Sequence, residues 1–324
     1  MEYRRLGRTG LKVSELCMGS MQFGWTADEE MSFEVLSTAF EAGINFIDTA
    51  DIYSSWVEGN PGGVSERIIG KWITKKGIPR DEVVIATKVR GAMGEGPNDQ
   101  GLSRVHILNS AAASLKRLGV EVIDLYQAHW PDDDTPIDET LEAFDALLRG
   151  GMVRYIGCSN YRAWQLIEAL WTSDREKLGR FVCLQPHYNL VHREEYEREL
   201  ERVCERYGIG VIPYSPLAGG FLTSKYSKGS EPPADSRGER SGRIQNYMQD
   251  DRNWNLHETL QLLGAARGKS ISQMALGWLL TRPSVTSPII GPRNLKQLED
   301  NLGAAGLRLN KEELAEIEAQ SSWQ

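Results

Sequence analysis

The chain has only four cysteines in 324 residues, Cys17, Cys158, Cys183 and Cys204, and none forms a CxxC pair or joins a compact Cys/His cluster. That spacing argues against zinc and disulfide frameworks, and the thiols read as buried in a reducing compartment. No apolar run approaches membrane-spanning length, and the opening "MEYRRLGRTGLKVSE" lacks the apolar core of a signal peptide, so a soluble cytoplasmic protein is expected. Positive charge is also in deficit: 37 Lys and Arg against 45 Asp and Glu give a formal charge of −8. A field of that sign repels polyanions, which argues against nucleic acid or a membrane surface as a partner and confines any phosphate site to a local patch.

What is present is ordinary globular composition, 40% apolar and 25% charged, with ample material for a core. The length fits one α/β barrel, and two smaller domains fit as well. Short apolar or β-branched runs, "ELCMGS", "INFIDTA", "VVIATK", "VIDLYQAH", "VRYIGCS", "FVCLQ", "GVIPYS" and "SPIIG", read as strands. Helix-like stretches at 28–42, 64–75, 103–118, 138–150, 161–171, 193–207 and 294–303 alternate with them. Eight strand-then-helix units imply a parallel sheet and suit a closed (β/α)8 TIM barrel in a single domain over 1–324; a doubly wound sheet is the rival.

Two additions exceed a minimal barrel. Residues 3–13 place an Arg-Thr-Gly turn between short strand-like runs, the pattern of an N-terminal β-hairpin that would plug one barrel end. The segment 218–253, rich in Gly, Ser, Pro and charge, is a long loop after strand seven, of the kind used for binding or as a lid. Its portion 226–250 is expected to be mobile. Beyond it, "LHETLQLLGAARGK" and "SISQMALGWLLTRP" read as helices, the second ended by Pro283.

In such a barrel the active site collects at the carboxyl ends of the strands. Asp48 ends "INFID", Tyr53 follows in its loop, Lys88 ends "VVIATK" and His129 ends "VIDLYQAH". A lysine closing an apolar strand needs a carboxylate, and Asp48 is the obvious partner. Taken singly, these are a structural ion pair, a rim tyrosine and a core histidine. Together they supply a phenol that can donate a proton, a cation to lower its pKa, an anion to hold the cation and an imidazole to orient an oxygen.

The ordered set "INFIDTADIYS", "VVIATK", "IDLYQAHWPD", "VRYIGCSN", "LQPHYNL", "VIPYSPLAGGFLTSKY" and "IIGPRNLKQLEDN" resembles the successive signatures of the aldo-keto reductase superfamily, over nearly the whole chain. The opening "YRRLGRTGLKVSELCMG" is similar to the branch of bacterial general reductases and potassium-channel beta subunits. The resemblance implies a (β/α)8 barrel that binds NADP(H) without a Rossmann domain, matching the absence of a GxGxxG after a strand. It implies Tyr53 as general acid, Lys88 as the residue that lowers its pKa, Asp48 as the lysine's partner and His129 as the orienter of the carbonyl. No metal is implied.

For the cofactor the resemblance implies Ser159, Asn160 and Gln185 around the nicotinamide carboxamide, with Ser20, Met21 and Asp48 beside them, and Tyr214 stacked on the ring. Ser215, Pro216, Leu217 and Gly220 form the loop under the pyrophosphate, while Lys225, Gly291, Arg293 and also Arg243 are candidates for the phosphates. Gln297, Asp300 and Asn301 lie around adenosine, with Asp300 standing where the family often has Glu. Arg293 opening a helix favours NADPH over NADH.

Trp25, Trp56 and Trp130 lie close in sequence to the catalytic set, where they wall an apolar pocket or pack loop against loop. Polar sugar-like carbonyl compounds and small aromatic aldehydes both fit as small-molecule substrates. Three activities stay open at this point: an NADPH-dependent carbonyl reductase, an NAD(P)+-dependent alcohol or polyol dehydrogenase, and a slow-turnover NADP(H)-binding redox-sensing accessory subunit.

Overall fold

The computed structural model describes residues 1–234 and 236–323. It opens with an antiparallel hairpin of β1 (Tyr3–Arg5) and β2 (Lys12–Ser14). A parallel sheet follows: β3 (Cys17–Gly19), β4 (Phe46–Asp48), β5 (Val84–Val89), β6 (Ile123–Ala128), β7 (Val153–Ser159), β8 (Phe181–Gln185), β9 (Gly210–Val211) and β10 (Ile289–Ile290). Its order is β10-β3-β4-β5-β6-β7-β8-β9. From β3 to β9 each strand thus lies beside its predecessor in the chain, and β10 returns to β3, whereas a doubly wound sheet reverses direction at a switch point. The curled eight-stranded sheet is consistent with the expected barrel. Its two edges are tied, because Thr286 N donates to Val211 O at 2.8 Å and Ile289 N to Pro213 O at 2.9 Å.

Side-chain alternation sorts the sheet into two cores. In β5, Ile85 and Val89 pack outward with Trp72, Ile107 and other helix residues, while Val84 and Ala86 face inward with Cys17, Phe46, Leu125, Cys183 and Ile212. Asp48, Lys88, Gln127 and Gln185 carry the same inward parity to the carboxyl ends. The hairpin supplies Leu6 and Val13, both fully buried, to this inner core. It seats there because Gly7 has φ +55° and no side chain: a Cβ would lie 2.6 Å from both Gly208 O and Gly210 N.

The helices start where local chemistry satisfies their first amides. Asp28 accepts from Met31 N before Glu29–Glu41, Ser103 accepts from His106 N before Arg104–Leu118, and Ser270 with Gln273 boxes the start of Ile271–Thr281. Glycines in the left-handed conformation, Gly77 and Gly119, end Val64–Lys76 and Arg104–Leu118. No helix among the described residues is long and apolar enough to cross a membrane.

Three features depart from expectation. Strand β9 is only two residues long, since Pro213 and Pro216 have no amide hydrogen to extend a ladder. The segment 218–253 holds short helices, Arg237–Arg240 and Gly242–Gln249, and Phe221 within it packs edge-on to Trp254 at 5.3 Å. The mobility expected of 226–250 covers Asp235, which lies outside the described residues. A C-terminal helix, Lys311–Ser321, was not expected, although Asn310 and Glu313 form a capping box at its start.

Candidate active site

The ends of β4, β5, β6 and β8 bring four polar side chains to one point. Lys88, fully buried, donates to Asp48 Oδ2 at 2.6 Å, to the Thr49 carbonyl at 2.7 Å and to the Tyr53 hydroxyl oxygen at 3.0 Å. All three ammonium hydrogens therefore have acceptors. Asp48 Oδ1 accepts from Gln185 Nε2 at 2.8 Å and from Gln127 Nε2 at 3.3 Å. Burial lowers the Lys88 pKa, but Asp48 and Tyr53 outweigh it and the net shift is upward, so the cation persists.

Tyr53 is held by a loop pinned to its neighbour, with Ser54 Oγ donating to Phe23 O at 2.7 Å. Burial raises the Tyr53 pKa; Lys88 pulls it down as expected, yet burial prevails. The resting residue is thus a protonated phenol. His129 follows β6, its ring centroid 5.9 Å from that of Tyr53 and stacked on Trp130 at 3.9 Å. Burial, then Lys88 and Arg90, holds the imidazole well below its usual pKa, and Nδ1 is buried without a hydrogen-bond partner among the described residues.

These shifts set a pH dependence. A neutral imidazole that charges only well below pH 6.5, and a phenol that ionises only above its ordinary value of about 10, leave both groups in one protonation state between. Any reaction that takes its proton from Tyr53 is expected to run at a rate that is flat from about pH 7 to about pH 9. A limb in that window would mean that another group carries the proton.

Asn160, in the left-handed region at φ +62°, ties together the chain after β6, β7 and β9. Its Nδ2 donates to His129 O at 2.9 Å and Ser159 Oγ at 3.0 Å, and its Oδ1 accepts from the Tyr214 hydroxyl at 2.9 Å. Ser159 Oγ donates to Gln185 O at 2.8 Å. Ser215 (φ +53°) and Ala218 (φ +50°) are strained likewise, and such strain gathers at ligand clamps. Pro216 is buried and Leu217 half-buried below the turn at Ala218–Gly220. A Cβ on Gly220 would lie 2.6 Å from Lys225 Nζ, so an ammonium stands over the bare backbone. Arg243 is exposed, and its charge acts on Tyr214 and His187.

Ser20 is fully buried and donates from Oγ to Asp48 O at 2.9 Å while accepting from Ser65 Oγ at 2.7 Å, a link between β4 and the helix Val64–Lys76; Met21 beside it is half-buried. The remaining candidates run from just before the helix Leu295–Leu302 to its last turn. Gly291 and Arg293 are exposed, Arg293 N donates to Gln297 Oε1 at 3.0 Å, and Asn301 is buried. The shorter Asp300 is held by Gln273 Nε2 at 3.3 Å.

Trp25, Trp56 and Trp130 are exposed. Trp25 and Trp56 pack edge-on at 5.6 Å, and Trp56 lies 6.3 Å from Tyr53, so both the loop packing and the wall beside the phenol are present. Three residues escaped sequence reasoning. Gln127 is masked by the apolar run around it, and Arg90 follows an already assigned lysine. His187, stacked on Tyr214 at 5.1 Å, has its pKa lowered to about 3 by burial and gives no signal beyond its place after a strand.

The fold and site define an α/β protein with a hydrogen-bonded Asp48–Lys88–Tyr53 cluster at the carboxyl ends of a parallel sheet. Residues 15–321 match the model of the aldo/keto reductase family, and the chain belongs to that family. It is 40% identical to an uncharacterized oxidoreductase, YrpG, of Bacillus subtilis, over 96% of this chain and 93% of the relative. It is 36% identical to a probable voltage-gated potassium channel subunit beta of Oryza sativa subsp. japonica, over 94% and 91%. An aldo-keto reductase of Fusarium vanettenii is also 36% identical, over 97% and 89%. The family is one of oxidoreductases that use nicotinamide cofactors.

Proposed function

We propose that the protein is an NADP(H)-dependent reductase of aldehydes or ketones, built as one closed (β/α)8 barrel over residues 1–324 and acting in the cytoplasm. The observation that carries the reading is the buried Lys88 bonded at once to Asp48 and Tyr53. The strained turns at Asn160, Ser215 and Ala218 and the ammonium over Gly220 suit a dinucleotide with its phosphates. When bound, the dihydronicotinamide supplies a hydride to the carbonyl carbon. Ser159, Asn160 and the free Oε1 of Gln185 would hold its carboxamide, Tyr214 its ring, and Lys225, Arg243 and Arg293 its phosphates.

The chain's own residues then manage one proton. The His129 imidazole, kept neutral, donates a ring N–H to the carbonyl oxygen and fixes its position. The Tyr53 hydroxyl transfers its proton to that oxygen as negative charge develops. Lys88, already donating to the Tyr53 oxygen, stabilises the phenolate left behind, and Asp48 keeps the ammonium in place. Water returns the proton.

The test is NADPH consumption with a panel of aldehydes and ketones, alongside titrations of NADPH and NADH. Arg293→Met is expected to weaken NADP(H) binding roughly tenfold or more by removing a charge-assisted contact, with a much smaller effect on NAD(H). Equal weakening of both would place Arg293 away from the 2′-phosphate. The channel beta-subunit relative favours a second reading, an accessory subunit that holds NADP(H) and turns over slowly. Tight binding without turnover in either direction would select it.

A further inference from the structure

Arg90 is the first residue after β5, two positions beyond Lys88, and its φ is +140°, a conformation that L side chains rarely adopt. Such strain persists only where the surroundings over-determine it, and it gathers at functional sites. Here the surroundings are the Tyr53 loop and the segment 91–101. Arg90 O accepts from Gly101 N at 3.0 Å, Met93 N donates to Asp99 O at 2.9 Å, and a Cβ on Gly91 would lie 2.5 Å from Ile52 Cδ1.

Val89, the residue before it, accepts from His129 N at 2.9 Å, and the charge of Arg90 is felt by His129 and Asp132. The Arg90 side chain is half-buried, Nε is fully buried, and the guanidinium has no hydrogen-bond or ion-pair partner among the described residues. The carboxylate it senses is engaged elsewhere: Asp132 accepts from Leu102 N at 2.6 Å, from Thr135 Oγ1 at 2.8 Å and from Asp134 N at 3.4 Å. Asp48, the carboxylate of the Tyr53 cluster, is held by Lys88. A partly desolvated guanidinium without an anion is costly to keep, and its planar fork matches the two oxygens of a carboxylate.

We propose that Arg90 is a specificity-determining residue that binds a carboxylate carried by the same molecule as the reacting carbonyl, so that the substrates are oxo acids. The inference rests on the reductase reading. The carboxylate is a handle and is unchanged: hydride adds to the carbonyl carbon, the Tyr53 proton adds to the oxygen, and the product is a hydroxy acid.

The experiment compares kcat/KM for 4-carboxybenzaldehyde with that for its neutral isostere 4-nitrobenzaldehyde. The wild-type protein is expected to prefer the carboxylate, and Arg90→Met to cut that preference by about 10²-fold, mainly through KM. Arg90→Lys should recover only part of it, because an ammonium lacks the fork. Arg90→Gln serves as the neutral variant if Arg90→Met does not fold. An unchanged preference ratio overturns the proposal, as does a higher wild-type kcat/KM for 4-formylphenyl phosphate, which would make the anion a phosphate. Calorimetric titration of 4-nitrobenzoate separates the two readings. If no aldehyde is reduced but 4-nitrobenzoate binds the wild type and not Arg90→Met, the reductase reading fails and the carboxylate site stands. Equal binding to both overturns the site.

Discussion

Tyr53→Phe is expected to lower the rate of carbonyl reduction by about 10²–10⁴-fold while cofactor binding is retained. The substitution removes one oxygen from a half-buried ring, so no cavity opens. Lys88 loses one acceptor at 3.0 Å but keeps Asp48 and the Thr49 carbonyl, and the buried charge remains paired. What is lost is the hydroxyl to which Lys88 donates and which the ammonium would stabilise as an anion. Steady-state rates with a responsive aldehyde, read beside a fluorescence titration of NADPH, separate the two effects. A rate within tenfold of wild type would show that the proton comes from elsewhere, with His129 the next candidate.

The second large effect concerns stability. Lys88→Met leaves the Asp48 carboxylate buried with only the Gln127 and Gln185 amides as donors, and an unpaired buried charge of this kind costs about 3–5 kcal/mol. Asp48→Asn added to Lys88→Met removes the stranded charge, so the double variant should regain most of the loss. Urea denaturation of the single and double variants measures both. A Lys88→Met protein as stable as wild type would mean that water reaches the pair. The sign with pH follows from the raised pKa of Lys88. Its contribution is complete below the unfolded value of about 10.4 and is lost as pH rises through the higher folded value. His129 acts at the other end: its lowered pKa subtracts stability as pH falls below about 6.5.

Much of this site was legible because strand periodicity and burial leave few places for charge. Asp48 and Lys88 each close an apolar run, and an inward-facing lysine has no stable state without an anion. The part that was not legible is long-range. Gln185 reaches Asp48 across 137 positions of sequence and Asn160 meets Tyr214 across 54, and neither pairing leaves a periodic trace. The amide of Gln185, expected at the carboxamide, also donates to Asp48 Oδ1. Composition showed only part of the segment 218–253, where Gly, Ser and Pro suggested a long binding loop or lid with mobility over 226–250. Within it Tyr226 and Tyr247 instead gather on Phe221, which itself packs against Trp254 and His257. Arg90 was invisible for a different reason, since backbone strain at a non-glycine residue is a property of the folded chain alone.

The hydrogen bonds that tie the two edges of the sheet also order events in time. Arg4 donates to Leu280 O at 2.7 Å and to Val285 O at 2.8 Å, and Thr286 and Ile289 meet Val211 and Pro213. The first strand therefore has its final neighbours only after about nine-tenths of the chain exists. Until then β3 and β9 are open edges able to pair with other chains. A chain cut short before residue 280 would lack the partners of Arg4, Val211 and Pro213, and β3 would have no β10 beside it.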